Sequence, residues 1–131
     1  MASTDGPIQS DGMPRQLGPY SHAYRVGNLL FIAGQAGINP ATGAVAGDSF
    51  EEQARQAFEN LKVVLEAAGS GMDRVAKTTV FLADASKFAA LNELFAEYFP
   101  TNPPVRSTPV VQLPRGLLIS VEAIASLPDG A

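Results

Sequence analysis

Leu117-Leu-Ile-Ser-Val-Glu-Ala-Ile-Ala125 is the stretch on which the fold turns. It is too short for a long buried helix and rich in β-branched residues, so it reads as a strand. Apolar side chains occur at both alternating sets of positions, and a strand of that kind has to be covered on both faces. Working backwards, Val105 to Gln112 reads as a further strand, separated by Pro114-Arg115-Gly116. Pro109 within it cannot donate to a ladder, which hints at an edge or a bulge.

The segments before these complete the pattern. Ala23 to Val26 and Leu29 to Ala33 are strand-like runs joined by Gly27-Asn28, a dipeptide suited to positive φ angles in a two-residue hairpin. Asn39-Pro-Ala-Thr-Gly43 is a turn cluster. Asp48-Ser49 then cap a helix with Glu51 and Glu52 in its first turn, and Phe50, Ala54, Ala57, Phe58, Leu61, Val64, Leu65 and Ala68 form its apolar stripe up to Gly69. Val75 to Ala83 reads as a strand. Asp84 to Ser86 cap a second helix ending before Pro100, with Phe88, Leu91, Leu94, Phe95 and Tyr98 as its buried stripe. The order is ββαβαββ, an α+β subunit. Residues 1 to about 16 read as a flexible polar tail and residues 17 to 131 as one domain.

Two helices cover only one face of such a sheet, so the second face of the final strand needs another cover. The economical one is a further copy of the same sheet in a closed homo-oligomer.

Composition narrows the function. Nine Lys and Arg against thirteen Asp and Glu give a formal charge of −4, which provides no global positive field for nucleic acid. The absence of cysteine removes disulfides, thiolate nucleophiles and thiolate metal sites, and suits a cytoplasmic address. No run is long and apolar enough to cross a bilayer, and the first residues lack the basic and apolar regions of a signal peptide. No membrane partner is expected.

Catalytic signatures are scarce: there is no phosphate-cradling glycine loop, no metal-ligand spacing and a single histidine, His22, which by its place near a turn reads as a surface or packing residue. Charged residues within strands are more informative. Glu122 needs a cation or several donors if it is buried, and reads equally as a structural partner, an edge position facing water or a site residue. Arg106 on a rigid strand could grip a ligand carboxylate through its planar fork.

Taken together the segments resemble the reactive intermediate deaminase family, the Rid or YjgF type formerly labelled L-PSP endoribonuclease. The resemblance rests on Gly18-Pro-Tyr-Ser-His-Ala23, Val26-Gly-Asn28, Gly34-Gln35, Asn39-Pro-Ala-Thr-Gly43, Gln53-Ala-Arg-Gln56, Asn60-Leu61 and Leu65-Glu-Ala-Ala-Gly69. It continues in Lys77-Thr-Thr-Val-Phe-Leu82, Phe88, Asn92, Val105-Arg-Ser-Thr108, Leu113-Pro114 and Glu122-Ala-Ile-Ala125. It implies a chorismate-mutase-like subunit, two helices on one sheet face and a trimeric barrel on the other, with sites in the clefts between subunits. The implied reaction is cofactor-independent hydrolysis of imines and enamines such as 2-aminoacrylate and 2-iminobutanoate to 2-oxo acids and ammonia.

Carried over residue by residue, the resemblance assigns the substrate carboxylate to Arg106 and the reacting end to backbone at Gly34 and Thr108, with Tyr20 and Asn92 completing the cleft. Three positions depart from the pattern. Ala33 stands where serine is frequent, and Thr108 where cysteine or threonine is common. Ser120 stands where the family carries the carboxylate assigned to water activation, while Glu122 matches a second, structural glutamate. Ser120 and Glu122 are nonetheless the candidate catalytic pair, since residues two apart on a strand share a face. The stretch from Arg106 to Leu113 is also one residue shorter than usual. The competing functions are a non-catalytic carboxylate-binding or regulatory trimer, which Ser120 favours, and the ribonuclease of the older family label, which the acidic balance disfavours.

Overall fold

In the computed structural model, which describes residues 4–129, the doubly apolar stretch lies inside a sheet, as its pattern demands. In chain order the elements are β1 (Gly6–Ile8), β2 (Ala23–Val26), β3 (Leu29–Ala36), α1 (Phe50–Ala67), β4 (Val75–Leu82), α2 (Phe88–Tyr98), β5 (Val105–Ser107) and β6 (Ile119–Ser126). One mixed sheet runs β1-β2-β3-β6-β4-β5, antiparallel throughout except that β5 pairs parallel to β4. The fold is α+β with both helices on one face.

Strand alternation divides the two faces. Ile119, Val121, Ala123 and Ala125 of β6 are buried beneath the helices together with Leu30 and Ile32 of β3 and Thr78, Val80 and Leu82 of β4. The other face carries Tyr24, Val26, Leu29 and Phe31, all exposed in the single chain at 40–45%. α1 begins where its caps predict. Ser49 Oγ accepts the Glu52 N–H at 3.1 Å while Glu52 accepts the Ser49 N–H at 3.4 Å, a reciprocal box whose cap is worth ~1 kcal/mol. Phe58 is fully buried on α1 and meets Phe95, Tyr98 and Phe99 at 6.1, 5.1 and 6.3 Å between ring centroids, which ties α2 to α1.

Several expectations need correction. Within the stretch read as a flexible tail, Gly6–Ile8 is an edge strand paired with β2, because its backbone can complete the open edge of the hairpin without burying large side chains. Residues 1–3 of that expected tail, and 130–131 of the expected domain, lie outside the described residues. At Gly27-Asn28 only Gly27 takes a positive φ, 60°. β3 runs on to Ala36 past a bulge between Ile32 and Gln35. β5 ends at Ser107 and not at Gln112. Pairing breaks at Thr108-Pro109, where proline has no N–H to give, and resumes in the same register as a lone bridge between Val110 and Leu82. Phe88 opens α2 but is 48% exposed, since its ring lies over Arg106 and outside the core.

Candidate functional site

Arg106 is the central residue of β5, opposite Thr78 of β4, and its side chain leaves the sheet on the α2 side. The guanidinium carbon sits 4.8 Å from the Phe95 ring centroid and 5.3 Å from that of Phe88, and Nη2 donates to Asn92 Oδ1 at 2.7 Å. Two aromatic rings and one amide therefore hold the fork, and its remaining N–H donors have no partner among the described residues. Burial lowers the Arg106 pKa from its ordinary value, but an arginine so placed stays charged. The structure brings Asn92, expected only to complete the cleft, into direct contact with Arg106; the guanidinium is half-buried against rings and not fully in an open cleft.

A second group forms around the bulge in β3. The extra residue brings Gln35 back into the core beside Ile32 and leaves Gly34 against the neighbouring strand. A methyl group on Gly34 would lie 2.7 Å from Ser120 Oγ, so only glycine allows the β6 hydroxyl to approach this closely. Beside them opens a cavity of about 450 Å³ whose lining includes Tyr20, His22, Gly34, Ser120, Arg15 and Arg115. Its outer wall is held by Asn60 of α1, whose amide donates to the carbonyls of Ala36 and Ile38 at 3.0 and 2.8 Å.

His22, set aside on sequence grounds, is buried in that wall with its ring 6.0 Å from Tyr20 in an edge-to-face arrangement. Its protonation follows from its neighbour. Gln35 Nε2 is 3.1 Å from the Ala33 carbonyl, which can only accept, so the amide nitrogen faces it and its other hydrogen points to His22 Nδ1 at 3.1 Å. In the neutral ring the proton is then on Nε2, and that buried donor finds no acceptor in the described structure. A lone histidine in a turn gave no sign of this, because the Gln35 contact depends on the bulge.

The remaining candidates are spread out. Glu122 is exposed, opposite Thr79, and lines a separate cavity of about 430 Å³ with Lys77, Tyr24 and Phe31. It makes no hydrogen bond or ion pair among the described residues and faces water in the single chain, so the need for a cation or donors, stated for a buried Glu122, does not arise there. Thr108 is half-buried just beyond β5. Three strand spacings of ~4.8 Å separate β5 from β3, so within one chain Arg106 lies more than ~14 Å from Gly34, and it faces the α2 side while Ser120 lines the bulge cavity. Within one chain the candidate residues thus fall into two separate groups. Arg15 and Arg115 are the residues that sequence reasoning missed: one fell in the supposed tail and the other in a turn.

Residues 11–127 of the chain match a known family model, described as Endoribonuclease L-PSP. The chain belongs to the Rid (YjgF) family. Among Rid relatives, a RutC family protein of Pyrococcus horikoshii is 46% identical over 119 residues, covering 90% of this chain and 94% of that one. The human 2-iminobutanoate/2-iminopropanoate deaminase is 41% identical over 119 residues, covering 90% and 87%. The crystal structure of E. coli TdcF with bound serine superposes with a TM-score of 0.86 at 32% identity, covering 93% of this chain and 98% of that one. Among the described residues no helix is long and apolar enough to cross a membrane.

Proposed function

We propose that this Rid-family chain is a cofactor-independent deaminase that hydrolyses reactive 2-imino acids such as 2-iminobutanoate, and enamines such as 2-aminoacrylate after tautomerisation to the imine, to 2-oxo acids and ammonia. The observation that carries the reading is the Arg106 fork, fixed by Phe88, Phe95 and Asn92 with donors to spare for a carboxylate. Relatives named as imine deaminases support the reaction class, and the serine bound by TdcF is a small molecule bearing the carboxylate Arg106 would grip.

The chemistry asks little of the protein. With the carboxylate on Arg106, water held by the Ser120 hydroxyl and backbone at Gly34 and Thr108 adds to the C=N carbon. One water proton passes to nitrogen, the carbinolamine C–N bond breaks, ammonia leaves and the new carbonyl remains. A protonated imine is already electrophilic, so positioning supplies much of the rate. Glu122 would act on this step only through Ser120 or a bridging water.

The site is shared between copies in this proposal. Arg106 and Asn92 of one subunit meet Tyr20, Gly34 and Ser120 of the next, since no single chain brings them within reach of one small substrate. The exposed Tyr24, Val26, Leu29 and Phe31 supply the apolar surface that a homotrimeric barrel would bury, with no nucleic acid or membrane involved. The cysteine-free composition fits a cytoplasmic address. A second reading, a non-catalytic carboxylate-binding trimer, is favoured by Ser120 where the family has a carboxylate. Enzymatically generated 2-aminoacrylate separates the two: accelerated decay to pyruvate and ammonia supports the deaminase, whereas binding of 2-oxobutanoate without acceleration supports the binder.

A further inference from the structure

The cavity beside Gly34 and Ser120, at about 450 Å³, is roomier and far more cationic than a short aliphatic imine requires. Arg115 Nη2 donates to the Gly43 carbonyl at 3.1 Å, and Arg15 Nη2 lies 3.2 Å from where a Gly43 Cβ would stand. Two guanidinium groups from distant parts of the chain thus converge on one glycine. Among the described residues neither is paired with a carboxylate, and no Asp or Glu lines the cavity. That is unusual in a chain of net charge −4, where a stray cation generally finds an acid. Arg115 moreover keeps a left-handed backbone, φ 59°, at a cost that glycine would avoid. His22 belongs to the same lining, with its Nε2 buried and without an acceptor among the described residues. Two positive charges gather here with no carboxylate among the described residues to neutralise them.

We infer that this cavity is a side-chain subsite for an anionic group, so that 2-imino acids carrying a distal carboxylate are the preferred substrates and Arg15 and Arg115 hold that carboxylate. The inference rests on the imine-deaminase reading, in which Gly34 and Ser120 border the reacting carbon. Arg106 then takes the carboxylate next to the imine, and the two further arginines take the second. Like charges that repel across Gly43 in the empty cavity become a matched pair once an anion lies between them.

The test compares imines of equal carbon number, generated in situ by amino acid oxidases from glutamate and from norvaline. Wild type is expected to show kcat/KM at least tenfold higher for the acidic imine. Arg15→Gln combined with Arg115→Asn, the asparagine chosen because it tolerates the left-handed backbone, should reduce that ratio at least tenfold. Circular dichroism establishes that the variant is folded. A wild-type ratio near one, or a ratio unmoved in the variant, overturns the subsite. Inorganic phosphate that alters turnover of the norvaline-derived imine without competing with it would point to a separate effector site and would also overturn it. If wild type hydrolyses neither imine, it is the deaminase reading that fails, and calorimetry still decides the subsite. Tighter binding of 2-oxoglutarate than of 2-oxopentanoate, lost in the variant, retains it; equal binding removes it.

Discussion

Replacing Arg106 by lysine keeps the charge and removes the fork. In the native chain one arm of the guanidinium is committed to Asn92 at 2.7 Å while the plane lies 4.8 and 5.3 Å from two ring centroids, so the free N–H groups point in fixed directions. A lysine ammonium can satisfy Asn92 or a carboxylate, but cannot present two parallel donors to the latter. Losing one hydrogen bond to a charged group removes about 1.5–3 kcal/mol, equivalent to a fall in kcat/KM of about 10- to 160-fold. The cost to folding is smaller. A weakened cation–π contact at a partly exposed site is worth ~0.5–1 kcal/mol, a drop of about 2–5 °C in Tm for a chain of this size. Steady-state deamination of 2-iminobutanoate, read beside a thermal melt, checks both figures. A folded lysine variant within about threefold of wild-type kcat/KM would show that Arg106 does not make a bidentate grip on the substrate.

Ser120→Glu places a carboxylate beside Gly34 and should raise kcat for 2-aminoacrylate by about an order of magnitude, as expected of general-base assistance; an unchanged kcat would remove position 120 from the proton path. Phe31→Asp puts a charge in the exposed apolar face and should convert a trimer into monomers in light scattering, with activity lost; a wild-type monomer at micromolar concentration refutes the shared site. Gly34→Ala should cost about 1–3 kcal/mol through its contact with Ser120 Oγ, and adding Ser120→Ala should recover part of that cost, so purely additive melts would contradict the close approach. Tyr98 has its pKa pushed up from 10.0 to about 12, first by burial and then by its hydrogen bond to Glu59 at 2.8 Å. The folded chain keeps a phenolic proton that the unfolded chain releases, so stability falls as pH rises from about 10 to about 12, and Tyr98→Phe should flatten that decline in pH-dependent melts.

The elements legible in the sequence were those whose signal is local. The Ser49–Glu52 box and the stripe from Phe50 to Leu65 are set by neighbours along one helix, and the structure keeps both. The alternation of β6 and the turn at Gly27 are equally short-range. What could not be read depends on pairing between distant segments. β1 exists because β2 offers an open edge, not because Gly-Pro-Ile favours a strand. The β3 bulge is visible only once β6 sets the register, and with it come the approach of Gly34 to Ser120 and the Gln35 contact that fixes the His22 proton. Arg106 was legible as an anomalous charge in a strand, and Asn92 as a cleft residue through the family resemblance; their hydrogen bond was not. Its two-ring clamp was not, since Phe88 fits a buried stripe equally well. Arg15 and Arg115 gain meaning only where both chains of contacts end, at Gly43.

β6 bears two histories written in alternate letters. Ile119, Val121, Ala123 and Ala125 answer to the helices, while Ser120, Glu122 and Ile124 answer to whatever lies beyond the sheet. Drift at one set is judged by whether the chain folds, and drift at the other by what it meets and converts. A lineage could therefore rewrite its chemistry along this strand one residue in two without disturbing the core, and position 120, set between two fully buried neighbours, is a place where such a change costs the fold little.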